Sequence, residues 1–276
     1  MITPLKKLGL LLLAGMITIS SCKKEEEATP EEETPVPTVT TPGTPGTTVP
    51  GSDGTFVNLK SVVYTTMILP FVGANTTKVY SESSIASVMT SSTSSTLVDA
   101  GVVKCNDSTL TKQSNNSYIF TKQNSNSTSS FTTFFNSGAY WDISGNSGNS
   151  VPAFTSSTYA IPSTPQLTFP TDSAPTISKS GSYYVYFGYI SNCDSVICQI
   201  VGGNGTVLTS KPLAPGAYGH TFTSAEMGTL QPSLTTGGIP TGQIGVYAYK
   251  YSSQTVSGKK YWYINIGAKT YMANIK

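Results

Sequence analysis

The sequence beyond residue 54 predicts an all-β protein. Serine, threonine, tyrosine and valine dominate this part of the chain, and apolar and polar residues alternate along short runs. Clusters of Gly, Asn, Ser and Pro interrupt these runs about every dozen residues, and no long amphipathic helix pattern intervenes. Many short strands at this spacing are typical of a β-sandwich or a β-barrel.

The first half of this segment contains several runs with strand character. Each run is short, rich in β-branched or aromatic residues, and bounded by turn residues. The predicted strands are residues 56–64, 67–72, 84–90, 97–104, 117–122, 130–135 and 139–143.

The second half follows a turn segment at residues 162–165, which contains Pro162 and Pro165 and which we interpret as a domain boundary. Thr223 and Glu226 have the spacing of a capping box, so one short helix is predicted at residues 224–230. The predicted strands are residues 166–169, 182–190, 195–201, 206–209, 217–222, 243–251, 260–267 and 270–275.

The two halves, residues 55–162 and 163–276, each have the length of one ordinary domain. No fixed-period repeat relates them, but each carries enough short strands for a small sandwich. We therefore predict two immunoglobulin-like β-sandwich domains.

The N-terminus has the order of features found in an export signal. Lys6 and Lys7 precede an apolar run, residues 8–19, that is too short to span a bilayer; small residues and Cys22 follow. This order resembles the signal peptides of bacterial lipoproteins, whose lipobox cysteine becomes the first mature residue and carries acyl chains. The resemblance implies a signal peptide at residues 1–21 and lipidation of Cys22. An ordinary cleaved signal peptide is the alternative, and it would leave a freely secreted protein.

Lys24, Glu25 and Glu26 come just after this cysteine. They resemble the short Lys-acidic-acidic export signal of Bacteroidota lipoproteins. The resemblance implies that the protein lies on the outer face of the outer membrane. It would be held there by acyl chains on Cys22, and more than one chain is needed for stable anchoring because a single chain binds reversibly.

Residues 22–54 contain almost nothing that could form a hydrophobic core. Glutamates cluster at residues 25–27 and 31–33, and prolines recur among threonines and glycines. Such a segment buries too little apolar surface to offset the entropy lost on ordering, so we predict a disordered tether.

The C-terminal strands carry the strongest candidate for a binding surface. Tyrosines alternate with apolar residues in both of them, so the tyrosines of each strand share one face. Pairing of Tyr251 with Tyr261 and of Tyr249 with Tyr263 would form one aromatic patch suited to stacking on sugar rings. Packing of the same patch against the first domain is the alternative. The candidate ligand-binding residues are Tyr247, Tyr249, Tyr251, Tyr261 and Tyr263.

Three cysteines remain after Cys22, so at most one internal disulfide is possible. Cys193 and Cys198 are the candidate pair, because turn residues separate them and the export route permits oxidation. Alternatively, Cys198 is a small core residue, since Val196 and Ile200 flank it at alternate positions.

Three Asp-Ser pairs, each followed by a small or apolar residue, resemble the O-glycosylation signal of exported Bacteroidota proteins. The resemblance implies glycan attachment at Ser108, Ser173 and Ser195.

Enzyme chemistry has little support in the sequence. His220 is the only histidine, no nucleophile motif accompanies it, and no pair of catalytic carboxylates is apparent. Asp142 begins a segment that partly resembles a calcium loop, but the required glycine and final glutamate are missing. All the basic residues are lysines, and they are scattered, so nucleic acid is not an expected partner. We predict no catalysis, metal or cofactor.

These observations predict a lipid-anchored cell-surface protein that acts by binding or display. Its expected partners are the membrane and, beyond it, a glycan or another surface protein. One alternative is a structural or assembly subunit, because the chain resembles lipoprotein pilins in its lipobox and its two predicted β-domains. A second alternative is a hydrolase with an unrecognised site.

Overall fold

The computed structural model describes residues 51–69, 73–125, 134–135, 138–169, 174–236 and 238–276. Within these ranges the protein is almost entirely β-structure, as the sequence predicts, with one short α-helix and one short 3-10 helix. Over the same ranges, no helix combines the length and the apolar character that crossing a membrane requires.

The strands are numbered in chain order. Those of the N-terminal half are β1 (Gly54–Leu69), β2 (Gly73–Val88), β3 (Val103–Cys105), β4 (Ser108–Thr109), β5 (Thr111–Lys112), β6 (Tyr118–Ser125), β7 (Trp141–Ile143) and β8 (Phe154–Thr155). Those of the C-terminal half are β9 (Thr176–Ile177), β10 (Tyr183–Tyr186), β11 (Ser195–Val201), β12 (Val207–Thr209), β13 (Gly219–Phe222), β14 (Thr235–Thr236), β15 (Ile239–Pro240), β16 (Gly242–Val256) and β17 (Lys259–Ile275).

A long central sheet joins the two halves of the chain. Its strand order is β12-β11-β16-β17-β1-β2-β6-β5, and the short strand β9 pairs with the end of β17. The first strand and the last strand run parallel, from the pair Gly54–Tyr261 to the pair Tyr64–Tyr271. No local pattern in the sequence predicts this pairing, which places segments from both sides of the predicted boundary at 162–163 in one sheet.

Two smaller sheets pack against one face of the central sheet. The four-stranded sheet β4-β3-β7-β8 supplies Val103 and Trp141 to a first core, which also contains Phe56 of β1 and Tyr261 of β17. The two-stranded sheet β10-β13 supplies residues to a second core together with β11 and β16. This layering is a β-sandwich arrangement. Its immunoglobulin-like form stays a prediction.

A cluster of buried polar side chains lies on the same face of the central sheet as the two cores. Asn58 of β1 and Asn265 of β17 are fully buried, and the Asn58 Nδ2 donates to the Asn265 Oδ1 at 2.8 Å. The Ser84 Oγ donates to the Asn58 Oδ1 at 2.9 Å, and the Asn265 Nδ2 donates to the Ala160 carbonyl oxygen at 3.3 Å. These bonds satisfy polar groups that would otherwise be buried without partners.

The predicted short helix is confirmed. Helix α1 (Ser224–Gly228) begins after Thr223, whose hydroxyl accepts from the Glu226 backbone nitrogen at 3.3 Å. The Glu226 carboxylate accepts from the Thr223 backbone nitrogen at 2.7 Å, which completes the capping box. Met227 is buried in the second core and attaches the helix to the body.

Candidate functional site

The register of the C-terminal hairpin separates the five predicted tyrosines. Strands β16 and β17 are joined by Ser257 and Gly258, and this turn places Tyr251 opposite Ile264, three residues beyond Tyr261. The predicted pairing of Tyr251 with Tyr261 was therefore wrong. A shift by an odd number of residues moves side chains to the opposite face of a sheet. The five tyrosines consequently form two groups instead of one patch.

The three tyrosines of β16 lie on one face of the central sheet. They form an apolar cluster with residues of β1, β11 and β17, and Tyr249 is only 3% exposed. Burial raises the pKa of Tyr247 to about 12. The Tyr251 hydroxyl lies 3.2 Å from the Ser195 Oγ. The remaining large members of this cluster are Leu59, Ile197, Trp262, Ile264 and Ile266.

Tyr261 and Tyr263 lie on the opposite face, inside the first core. Both rings are fully buried, and the Tyr263 ring stacks on Phe56 with centroids 5.3 Å apart. The Tyr263 hydroxyl donates to the Gln254 side chain at 3.1 Å. These two tyrosines therefore stabilise packing between the central and the four-stranded sheets.

A different set of tyrosines is exposed. Six large hydrophobic side chains are exposed in the described part of the chain, and four of them belong to the β10–β13 region. We call Tyr184 and Tyr186, on the outward face of β10, the tyrosine platform; the other two are Tyr189 and Tyr218, and all four are 55–60% exposed.

The platform is supported by the alternation of strand β10. Val185 and Phe187 point into the second core and are buried, so Tyr184 and Tyr186, at the alternate positions of the strand, point outward. Tyr186 pairs with Gly219 of β13, and Tyr184 pairs with Thr221. A Cβ atom at position 219 would overlap the Tyr184 phenol ring, so the glycine leaves room for this ring to lie across β13.

The other pair of exposed tyrosines, Tyr189 and Tyr218, lies at the end of the same strand pair, where Tyr218 is opposite the core residue Phe187. The Phe187 backbone nitrogen donates to the Tyr218 carbonyl oxygen at 2.9 Å and extends the pairing of β10 with β13. Beyond it, the Tyr189 and Tyr218 ring centroids are 6.4 Å apart. The alternation of Tyr183, Val185, Phe187 and Tyr189 favours a core stripe, and Val185 and Phe187 are buried as it predicts, whereas Tyr189 is exposed.

The predicted disulfide is not formed. Cys193 and Cys198 are both free, buried thiols of the second core, and Cys198 is fixed in β11 opposite Val246. The core interpretation of Cys198 is therefore confirmed. Burial raises the pKa of the Cys198 thiol to about 12, which keeps the thiol protonated and unreactive.

The predicted glycosylation sites have different surroundings. Ser108 is half-buried at the hairpin between β3 and β4, and Ser195 is buried against Tyr251. Glycosylation of Ser195 would thus require attachment before folding or local opening of the sheet. Ser173 lies outside the described residues. Modification at all three positions stays a prediction.

Of the residues weighed for catalysis, His220 lies near Glu226: hydrogen bonds from Thr223 and, to a smaller extent, the charge of His220 lower the pKa of the Glu226 carboxylate. The His220 ring contacts the Phe222 ring edge-on, with centroids 4.6 Å apart. A cavity of about 360 Å³ lies beside Lys60 and Pro162, and no carboxylate or histidine is among the residues that line it. Within the described ranges, no three metal-ligating side chains come together.

The lipidation and export residues lie outside the described part of the chain: Cys22, Lys24, Glu25 and Glu26. Neither a scan against protein-family models nor a search of the curated proteins found a match.

Proposed function

We propose that this chain is a lipid-anchored cell-surface protein that binds or displays and does not catalyse a reaction. The order of features around Cys22 carries the proposal: a basic start, a short apolar run, small residues and then the cysteine. An all-β body after this segment is consistent with the proposal, because the body supplies a stable scaffold on which a binding surface can be presented.

The anchor has a simple physical basis. Each buried CH₂ group of an acyl chain contributes about 0.8 kcal/mol, and two or more chains hold a protein stably where one does not. The following segment is rich in proline, which favours an extended conformation of about 3.1 Å per residue. Some thirty residues would thus carry the body up to roughly 90 Å from the lipid surface.

Lipidation is tested by growing producing cells with a fatty acid that carries an alkyne label. The wild-type protein is expected to take up the label and to fractionate with membranes, whereas Cys22→Ser is expected to do neither. Cys193→Ser is the matched control, because it removes a cysteine of the body and leaves Cys22 in place. Equal labelling of Cys22→Ser and the wild type would contradict the proposal.

Surface display is tested separately with a protease added to intact cells. The wild-type body is expected to be digested from outside the cell. Replacement of Glu25 and Glu26 by alanine is expected to retain the lipid label and to protect the body from digestion. Protection of the wild-type body would show that the protein faces the periplasm.

A further inference from the structure

We propose that Lys78 of β2 and Lys269 of β17 form a binding site for an oxyanion, the phosphate or sulfate group of a ligand. We call these two residues the lysine pair. The inference rests on the proposed function, since it names the ligand class of a displayed binding surface.

The register of the central sheet brings the two lysines to one aromatic ring. Tyr64 of β1 pairs with Lys78 on one side and with Tyr271 on the other. Lys269 pairs with Val62, which is two residues before Tyr64 and therefore on the same face of the sheet. The Lys78 Nζ lies 5.5 Å from the Tyr64 ring centroid, and the Lys269 Nζ lies 5.0 Å from it. Two ammonium groups thus converge on one phenol ring.

The positive charge of the lysine pair is not balanced by its surroundings. Burial and, to a smaller extent, the charge of Lys78 lower the pKa of Lys269. Among the described residues, no carboxylate lies within 4 Å of either Nζ atom. Glu82, four residues along β2, pairs with Lys60 and accepts from the Phe134 backbone nitrogen at 2.6 Å. A bound anion would offset the repulsion between the two ammonium groups.

The site is partly shielded from water. The Tyr64 ring stacks on the buried Tyr271 ring with centroids 4.4 Å apart, and Phe169 meets Tyr271 edge-on at 5.0 Å. The Tyr271 hydroxyl donates to the Leu167 carbonyl oxygen at 3.2 Å, which fixes the ring beneath the site. Lys269 is half-buried beside these rings. An attraction between opposite charges is stronger here than between fully hydrated groups.

The donors at this site fit an oxyanion with several terminal oxygens. Each ammonium group has three N–H donors and no acceptor, and a phosphate or sulfate group can accept from both lysines at once. Burial, and to a smaller extent the neighbouring Tyr80, raises the pKa of Tyr64, so its hydroxyl stays protonated at neutral pH and adds a donor without adding charge. A carboxylate offers only two oxygens in one plane and is expected to bind more weakly.

The test is thermal unfolding of the full lipidated protein in mild detergent, titrated with inorganic phosphate, sulfate or acetate. Chloride keeps the ionic strength constant. Phosphate or sulfate is expected to raise the wild-type midpoint until the site is saturated, and acetate is expected to raise it less. Lys78→Gln and Lys269→Gln are each expected to raise the dissociation constant about tenfold or more.

Two further variants separate loss of the site from other effects. Lys269→Arg keeps the charge and is expected to stay within about threefold of the wild type. Lys211→Gln is the control for a change in net charge, because Lys211 is exposed and lies outside the lysine pair. Circular dichroism of each variant without added anion separates a lost site from a lost fold.

Affinity electrophoresis in gels that contain dextran sulfate or unmodified dextran distinguishes the sources of the oxyanion. Retardation by dextran sulfate that requires the lysine pair would assign the site to a sulfated or phosphorylated polymer, and a midpoint shift without retardation would assign it to a small ligand. Equal midpoint shifts in the wild type, Lys78→Gln and Lys269→Gln would overturn the inference. If no anion shifts the wild-type midpoint while Cys22 carries its label, the ligand class is wrong and the anchoring proposal stands.

Discussion

At the scale of single residues, Asp99 shows how one carboxylate joins three segments. It accepts hydrogen bonds from the Lys112 Nζ at 2.6 Å, the Tyr118 hydroxyl at 2.7 Å and the Gly101 backbone nitrogen at 2.8 Å. The hydrogen bond from Lys112, followed by those from Tyr118 and Gly101, lowers the pKa of Asp99 to about 2. Asp99 thus ties the segment before β3 to strands β5 and β6.

Asp99→Asn is expected to reduce the free energy of unfolding at pH 7. The reduction is about 1 kcal/mol or less, because the ion pair is partly exposed to solvent. A carboxylate whose pKa is lowered in the folded protein stabilises the fold at pH values above its pKa in the unfolded chain, which is about 3.9. The difference between variant and wild type is therefore expected to persist at neutral pH and to disappear as the pH falls from about 4 towards 2.

The free energy of unfolding of each protein is measured by urea unfolding over this pH range. Asp142→Asn is the control, because the Asp142 carboxylate makes no side-chain hydrogen bond or ion pair within the described residues. A deficit in Asp99→Asn that is equally large at pH 2 and pH 7 would contradict the assigned role.

At the scale of elements, the turn of the C-terminal hairpin sets the faces of two long strands. Ser257 and Gly258 both have positive φ, at 51° and 78°, which matches the two-residue turns that join antiparallel strands. The strand β11 and helix α1 were predicted correctly, because alternation and a capping box are local signals. The hairpin register was predicted wrongly, because several polar residues lie between the two strands and offered alternative positions for the turn.

Gly258→Ala is expected to destabilise the protein by about 1–2 kcal/mol, because an L-residue is strained at this positive φ. Gly228→Ala is the matched control. A Cβ atom would meet nothing within 4 Å at either position, but only Gly258 has a positive φ. The control is expected to change stability by less than about 0.5 kcal/mol. Equal midpoints of thermal unfolding for the two variants would show that backbone strain at the turn does not matter.

At the scale of the whole molecule, pairing between β1 and β17 unites the two ends of the described chain. Composition and alternation predicted the all-β class, since these signals are repeated in nearly every segment. They could not predict a parallel pairing between strands some 200 residues apart in sequence, because such a contact leaves no local pattern. The exposure of the platform tyrosines could not be predicted either, because burial of a strand face depends on which other sheet covers it.

The Asn58–Asn265 bond is expected to stabilise this union. Asn265→Ala leaves the buried Asn58 amide without its acceptor, so the free energy of unfolding is expected to fall by about 1–3 kcal/mol. Asn58→Ala is expected to have a similar effect, and the double variant is expected to lose less than the sum of the two. Strict additivity in chemical unfolding would indicate that the two amides do not interact.

The proposed function depends on anchoring through Cys22. Its most direct test is intact-mass measurement of the protein extracted from membranes. We expect a chain that begins at residue 22 and is heavier than the polypeptide by the mass of two or more acyl chains. A chain that begins elsewhere, or one that begins at Cys22 with an unmodified thiol, would contradict lipid anchoring through Cys22.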